Sequence, residues 1–142
     1  MKMVVAIAGS ILLCLQGCGV KALWEAMPRS EKATTRLLVA IGEAGYVTVR
    51  EHLTVEMAER YSLDNVADTF GPIRNAVGVC GPPVTTRSNT NVNAAGTTVV
   101  LQVSAHCASA ELRANLVWKI EAGEPRLSGF SFQQVIASSD GG

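Results

Sequence analysis

Thr97-Thr98-Val99-Val100-Leu101-Gln102-Val103-Ser104-Ala105-His106-Cys107 decides how this chain folds. Val99, Leu101, Val103, Ala105 and Cys107 alternate with Val100, Gln102, Ser104 and His106. Successive side chains of a strand point to opposite faces, so this period of two makes a strand with one dry face and one mixed face. Asn93-Ala94-Ala95-Gly96, directly before it, reads as a hairpin turn. A turn centred there pairs residues whose numbers sum to about 189 and sets Cys80 near position 109, two residues from Cys107. A small register shift or a bulge then brings the two cysteines within disulfide reach.

On the C-terminal side, Ala108-Ser109-Ala110 is a tight turn into a strand over Glu111–Glu121. There Leu112, Ala114, Leu116, Trp118 and Ile120 share a face, and Arg113, Asn115, Lys119 and Glu121 lie on the other with Val117. Ala122-Gly123-Glu124-Pro125 is the next turn, and Arg126–Gln134 the last strand, with Phe130 and Phe132 on one face. Helix gives way to sheet from Ile73 onward, and Pro82–Asn93, rich in Thr, Ser and Asn, is the outer part of a polar edge strand that discourages edge pairing. Residues 137–142 form a flexible tail.

Before the sheet the period is helical. Ser30 is an N-cap, Ala33, Leu37, Ala40, Ile41 and Ala44 recur on one side, and Gly45 stops the helix. Thr48-Val49-Arg50-Glu51 fits a capping box for a second, short helix through Leu53. Thr54 caps a third over Val55–Arg60. Ser62 caps a fourth, in which Leu63, Val66, Ala67 and Phe70 share a face and Gly71-Pro72 is the stop. The fold class is α+β: N-terminal helices packed on a curved four-stranded antiparallel meander.

The first residues point to export. Met1-Lys2 is a short positive region, and Met3 to Leu15 is an apolar run of about 13 residues. A membrane span needs about 20, so the run has the size of a signal-peptide core. Leu15-Gln16-Gly17-Cys18 follows and resembles the lipobox of bacterial lipoproteins, in which a cysteine preceded by a small residue is acylated and becomes the new N-terminus. The rival sites of processing are cleavage after Val20-Lys21-Ala22, or none, with the run kept as an anchor. The resulting division is a signal peptide over 1–17, a lipidated tether over 18–29 ending at Pro28, one domain over 30–136, and the tail. The expected location is the bacterial cell envelope, lipid-anchored in the outer membrane and facing the periplasm. Cysteine usage agrees: Cys14 leaves with the signal, Cys18 carries lipid, and Cys80 and Cys107 remain as a pair for an oxidising compartment.

Helices followed by a four-stranded meander resemble the nuclear-transport-factor-2-like, or cystatin-like cone, superfamily. The resemblance rests on Ala33–Ala44 as the first helix, Leu53-Thr54 entering the short helices, and Phe70-Gly71-Pro72-Ile73 leading to the sheet. Leu116–Ile120 and Leu127–Phe132 stand as the last two strands. It implies a hollow between helix and sheet, with Leu37, Ile41, Leu101, Val103, Leu116, Trp118 and Phe130 as candidate lining if it is open and as core if it is not. The enzymes of that superfamily place Asp, His or Tyr in the hollow, and none matches here.

Chemistry is sparse. His106 and Cys107 are adjacent on a strand and face opposite ways. No zinc spacing appears, and no nucleophile elbow is present. His52 reads as a capping or solvent-facing residue, and Glu56, Glu59, Asp64 and Asp68 as the wet sides of helices. No metal, cofactor or catalytic set is expected. Without residues 1–17 the chain loses one base, Lys2, leaving 12 − 1 = 11 basic against 12 acidic residues. No Lys/Arg run occurs for nucleic acid or anionic lipid heads. The expected function is a non-catalytic interaction or accessory module with an envelope protein partner, the membrane being reached through the lipid. The alternative is a carrier of small apolar ligands.

Overall fold

Strand β2 (Gly96–His106) lies inside a four-stranded sheet in the computed structural model, which describes residues 24–135. β1 (Val84–Asn93) pairs with one edge of β2 and β3 (Glu111–Glu121) with the other, and β4 (Glu124–Val135) closes the meander in the order β1-β2-β3-β4, all antiparallel. The helices precede the sheet, so the α+β arrangement is as expected. The expected signal peptide over 1–17, Cys14, Cys18 and the expected tail over 137–142 lie outside the described residues.

The β1–β2 register follows from the turn. Every pair from Asn93↔Gly96 back to Arg87↔Gln102 sums to 189, and one bulge at Thr86 shifts the next pairs to Thr85↔Val103 and Val84↔Ser104. The Thr86 hydroxyl donates to the Gln102 carbonyl at 3.0 Å across the bulge. Beyond it Cys80 meets Cys107 in an isolated antiparallel bridge and the two form a disulfide. In the β3–β4 hairpin, Glu121 pairs with Glu124, so the turn is the two residues Ala122-Gly123, with φ of 51° and 81°. Two positive φ angles mark the turn type whose twist suits a tight hairpin. A second bulge, at Ser128, separates Val117↔Gly129 from Trp118↔Leu127.

One sheet face is dry: Val99, Leu101, Val103 and Ala105 of β2, Leu112, Ala114, Leu116 and Trp118 of β3, and Leu127 of β4 are all buried. Helix α1 covers it. Within the described residues α1 runs over 24–42, so the stretch read as the end of a tether is helical, and Ser30 is an interior residue rather than the N-cap. The reason is burial: Ala26, Ser30, Ala33, Thr34, Leu37, Leu38 and Ile41 form a continuous buried stripe at helical spacing that passes Pro28 on the exposed side. The stop is a Schellman closure, Gly45 N–H to Ala40 O at 2.8 Å and Ala44 N–H to Ile41 O at 3.1 Å. Ala44, at φ 58°, and not Gly45, takes the left-handed position.

α2 (Tyr46–Glu51) begins at Gly45 without a side-chain cap, so Thr48 is inside the helix and the expected capping box is absent. α3 (Val55–Arg60) and α4 (Leu63–Val77) start where their caps predict: Thr54 accepts from Met57 N–H and Ser62 from Asn65 N–H. α4 does not stop at Gly71-Pro72. It contains Pro72 and runs on to Val77. Val66, Phe70 and Val77 are buried with Ile73 packed beside them, and the Phe70 ring meets Phe130 tilted at 4.9 Å and Phe132 edge-on at 5.9 Å. Pro72 lies on the exposed side, where its missing N–H costs least. The sheet therefore begins at Val84, later than the change of period placed it.

Candidate functional site

The space between α1 and the sheet is filled. Leu37, Leu101, Leu116 and Trp118 are fully buried, Val103 and Ile41 nearly so, and Phe130 is packed under Phe70. Six of these residues are core, and Phe130 is partly buried against it. The one polar atom that Trp118 brings inside is matched: its indole N–H donates to Thr34 Oγ1 at 3.0 Å. Thr34 Oγ1 donates in turn to Ser30 O at 2.8 Å, and Ser30 Oγ to Ala26 O at 2.7 Å. Among the described residues no buried side-chain polar atom is left without a partner. Thr34 thus ties α1 to β3 while Ser30 is satisfied within α1, roles that helical spacing showed for neither.

The ionisable groups are dispersed. His52 Nδ1–H donates to Thr48 O at 2.8 Å, closing the end of α2, and its ring stands edge-on to Trp118 at 6.4 Å. Glu56 pairs with Arg60 across one helical turn on the surface. Cys80 and Cys107 are consumed by the disulfide. On the outer sheet face the Ser104 hydroxyl donates to Glu111 at 2.8 Å. That bond holds the Glu111 carboxyl below the ordinary carboxylate range; desolvation opposes it, and Arg113 and His106 assist. No group of three metal-ligating side chains occurs among the described residues, and no helix among them is long and apolar enough to cross a membrane.

Two hollows adjoin at one end of the molecule. The first, of about 600 Å³, lies between α2, α3, the start of α4 and the β3–β4 hairpin. Leu53 is its buried neighbour, and Val47, Val55 and Leu63 stand around it 59%, 68% and 45% exposed. The second, of about 440 Å³, lies between α1, His52 and the start of β4 and is lined by Arg29, Lys32, Arg36 and Arg126 with Glu51 and Glu124. Glu51 and Arg126 border both, and the Arg126 guanidinium donates to the Glu51 carbonyl on the ridge between them.

The first hollow lies beside α3, which is fastened by its polar ends while Met57 and Ala58 pack only partly buried against the core. None of its residues is fully buried. Thr54 caps its start, and Arg50 caps its end by donating to Tyr61 O at 2.9 Å and Ala58 O at 2.8 Å. The link before it runs beside β4 as a short parallel bridge: Leu127 N–H donates to His52 O and Thr54 N–H to Leu127 O at 3.0 Å. With α3 held in this way, Val55 is left facing outward. Leu63, which the helical pattern placed with Val66 and Phe70, is at the first turn of α4 and stays half exposed.

The basic lining of the second hollow is a feature the linear sequence hides. No run of bases exists, but Arg29, Lys32 and Arg36 recur at i, i+3 and i+7 on the exposed side of α1, and β4 adds Arg126. The spacing is legible only once the helix extends back past Pro28.

No protein-family model and no curated protein matches this sequence.

Proposed function

We propose that this is a lipid-anchored protein of the bacterial cell envelope, held through Cys18 in the outer membrane facing the periplasm, and that it acts as a non-catalytic interaction module. The observation that carries the reading is the gathering of Val47, Val55 and Leu63 around one surface hollow while the interior is filled. Exposed apolar side chains grouped in a concavity and rimmed by charge are the arrangement by which a protein partner is held. Glu51, Glu59, Glu121, Arg50 and Arg126 supply such a rim. The disulfide supports an oxidising compartment. The order of elements, helices and then a meander, supports the resemblance to the nuclear-transport-factor-2-like superfamily. Carriage of a small apolar ligand is the weaker reading, because Leu37, Leu116 and Trp118 occupy the space it requires.

A photo-crosslinking side chain at Val55, introduced in the intact envelope, tests the proposal. We expect one discrete adduct that vanishes with Leu63→Asp and does not form from the same probe at Ser109, exposed in the β2–β3 turn at the other end of the sheet. Equal labelling from both positions would refute the hollow as a docking site. The anchor is tested separately: a Cys18→Ala chain that still fractionates with membranes would refute it.

A further inference from the structure

We propose that the hollow between α1 and the start of β4 binds a phosphate group, independently of the protein partner read above. Arg29, Lys32, Arg36 and Arg126 converge on it from two separate elements, against the two carboxylates Glu51 and Glu124. The lining thus carries 4 − 2 = 2 more positive than negative charges, before His52 is counted. Neither Glu51 nor Glu124 forms an ion pair with these bases among the described residues. Like charges drawn into one concavity repel, and although Glu25 pairs with Arg29, the Lys32 and Arg36 side chains have no acidic partner among the described residues, so an anion entering here lowers the energy of the site.

The four bases are not equivalent. Arg29 is tied in place, one Nη to Glu25 at 3.0 Å and the other to Gly123 O at 2.8 Å, so it joins α1 to the β3–β4 turn and sets one wall. Arg126 sets the opposite wall through Glu51 O. Lys32 and Arg36 have no hydrogen bond or ion pair among the described residues, which leaves one ammonium and one guanidinium ready for a ligand. His52 has committed Nδ1–H to Thr48 O, so Nε2 is the nitrogen left for the hollow. A guanidinium presents two parallel N–H donors that match two phosphate oxygens, and an ammonium adds a point charge. A volume of about 440 Å³ is in the range of small-molecule clefts, so the fitting ligand is a phosphoester with an organic remainder rather than the bare ion. Such a group comes either from a soluble phosphorylated metabolite or from a phospholipid headgroup.

The test uses the full chain carrying Cys18→Ser, which removes the lipid. Binding of glycerol phosphate is followed by nuclear magnetic resonance of the arginine side chains at constant ionic strength, and binding to phosphatidylglycerol vesicles by sedimentation, with phosphatidylcholine vesicles as control. We expect saturation in at least one arm, weakened about tenfold by Lys32→Ala/Arg36→Ala and unchanged by Arg87→Ala on the outer sheet face. Both substituted positions on α1 are exposed, so the fold is retained, and an unchanged melting curve checks this. Saturation by glycerol phosphate assigns a soluble ligand, and selective binding to phosphatidylglycerol alone assigns a headgroup. No saturation in either arm, or a double variant that binds like its parent, overturns the proposal.

Discussion

The two hairpins of the sheet share a design and differ in what holds them. Each has a two-residue turn and one bulge. β4 places Leu127 in the core and packs Phe130 and Phe132 under α4, whereas β1 contains no fully buried residue. β1 is fastened by its backbone ladder to β2, by Thr85 Oγ1 donating to Glu31 of α1 at 2.6 Å, and at its base by the disulfide. One outer strand is held by exclusion of water, the other by polar and covalent ties. A strand on an open edge can be polar along its whole length only if something other than burial fixes its base.

The largest test of this contrast is Trp118→Ala. Losing the fully buried indole and its bond to Thr34 should cost about 4 kcal/mol, against under ~0.5 kcal/mol for Thr90→Ala on β1, both read by denaturant unfolding. Equal losses would break the comparison. Next is Cys80→Ser/Cys107→Ser. For a separation of 27 residues the chain-entropy argument gives about 3.5 kcal/mol, and amide exchange should rise in β1 well before β4. A smaller effect of opposite sign belongs to the β3–β4 turn. Ala122 sits at φ 51°, so Ala122→Asn should stabilise by roughly 0.5–1 kcal/mol in thermal unfolding.

The smallest effect is at the seam between the hairpins, where Ser104 donates to Glu111. The folded Glu111 carboxyl titrates below its ordinary range, so its contribution is complete above the unfolded value and is lost as pH falls through the folded one. Ser104→Ala removes the leading cause and should move the Glu111 carboxyl titration upward, measured by carbon resonance against pH; an unmoved titration would assign the shift to Arg113 and His106.

The sheet was legible because its evidence is local. Alternation in β2 and β3, the turn at 93–96 and the sum of 189 all follow from residues near one another in the chain, and the same sum carried Cys80 close to Cys107. The caps at Thr54 and Ser62 are local in the same sense. The two prolines misled because their penalty is local while its compensation is not. Pro28 and Pro72 each forfeit a helical hydrogen bond, but continuing the helix buries Ala26 and Ser30 in one case and packs Ile73 and Val77 in the other. Ala44 hid behind Gly45 for the converse reason: closure geometry, not residue preference, chose the left-handed position. The candidate sites were hardest to see. Val47, Val55 and Leu63 come from three helices, and the four bases from α1 and β4, so only the packing of those elements brings either group together.

The disulfide has a practical meaning for the chain between its ends. Residues 81–106 form a covalently closed circuit whose far end, Asn91 to Gly96, is wholly exposed. A protease cut there leaves the two pieces joined until a reductant is added. A peptide grafted there lengthens a loop whose base is already closed, and the entropic cost of added length grows only logarithmically. The hairpin tip is therefore the place at which this protein can be opened, tagged or made to display foreign sequence while the disulfide keeps the base of the hairpin closed.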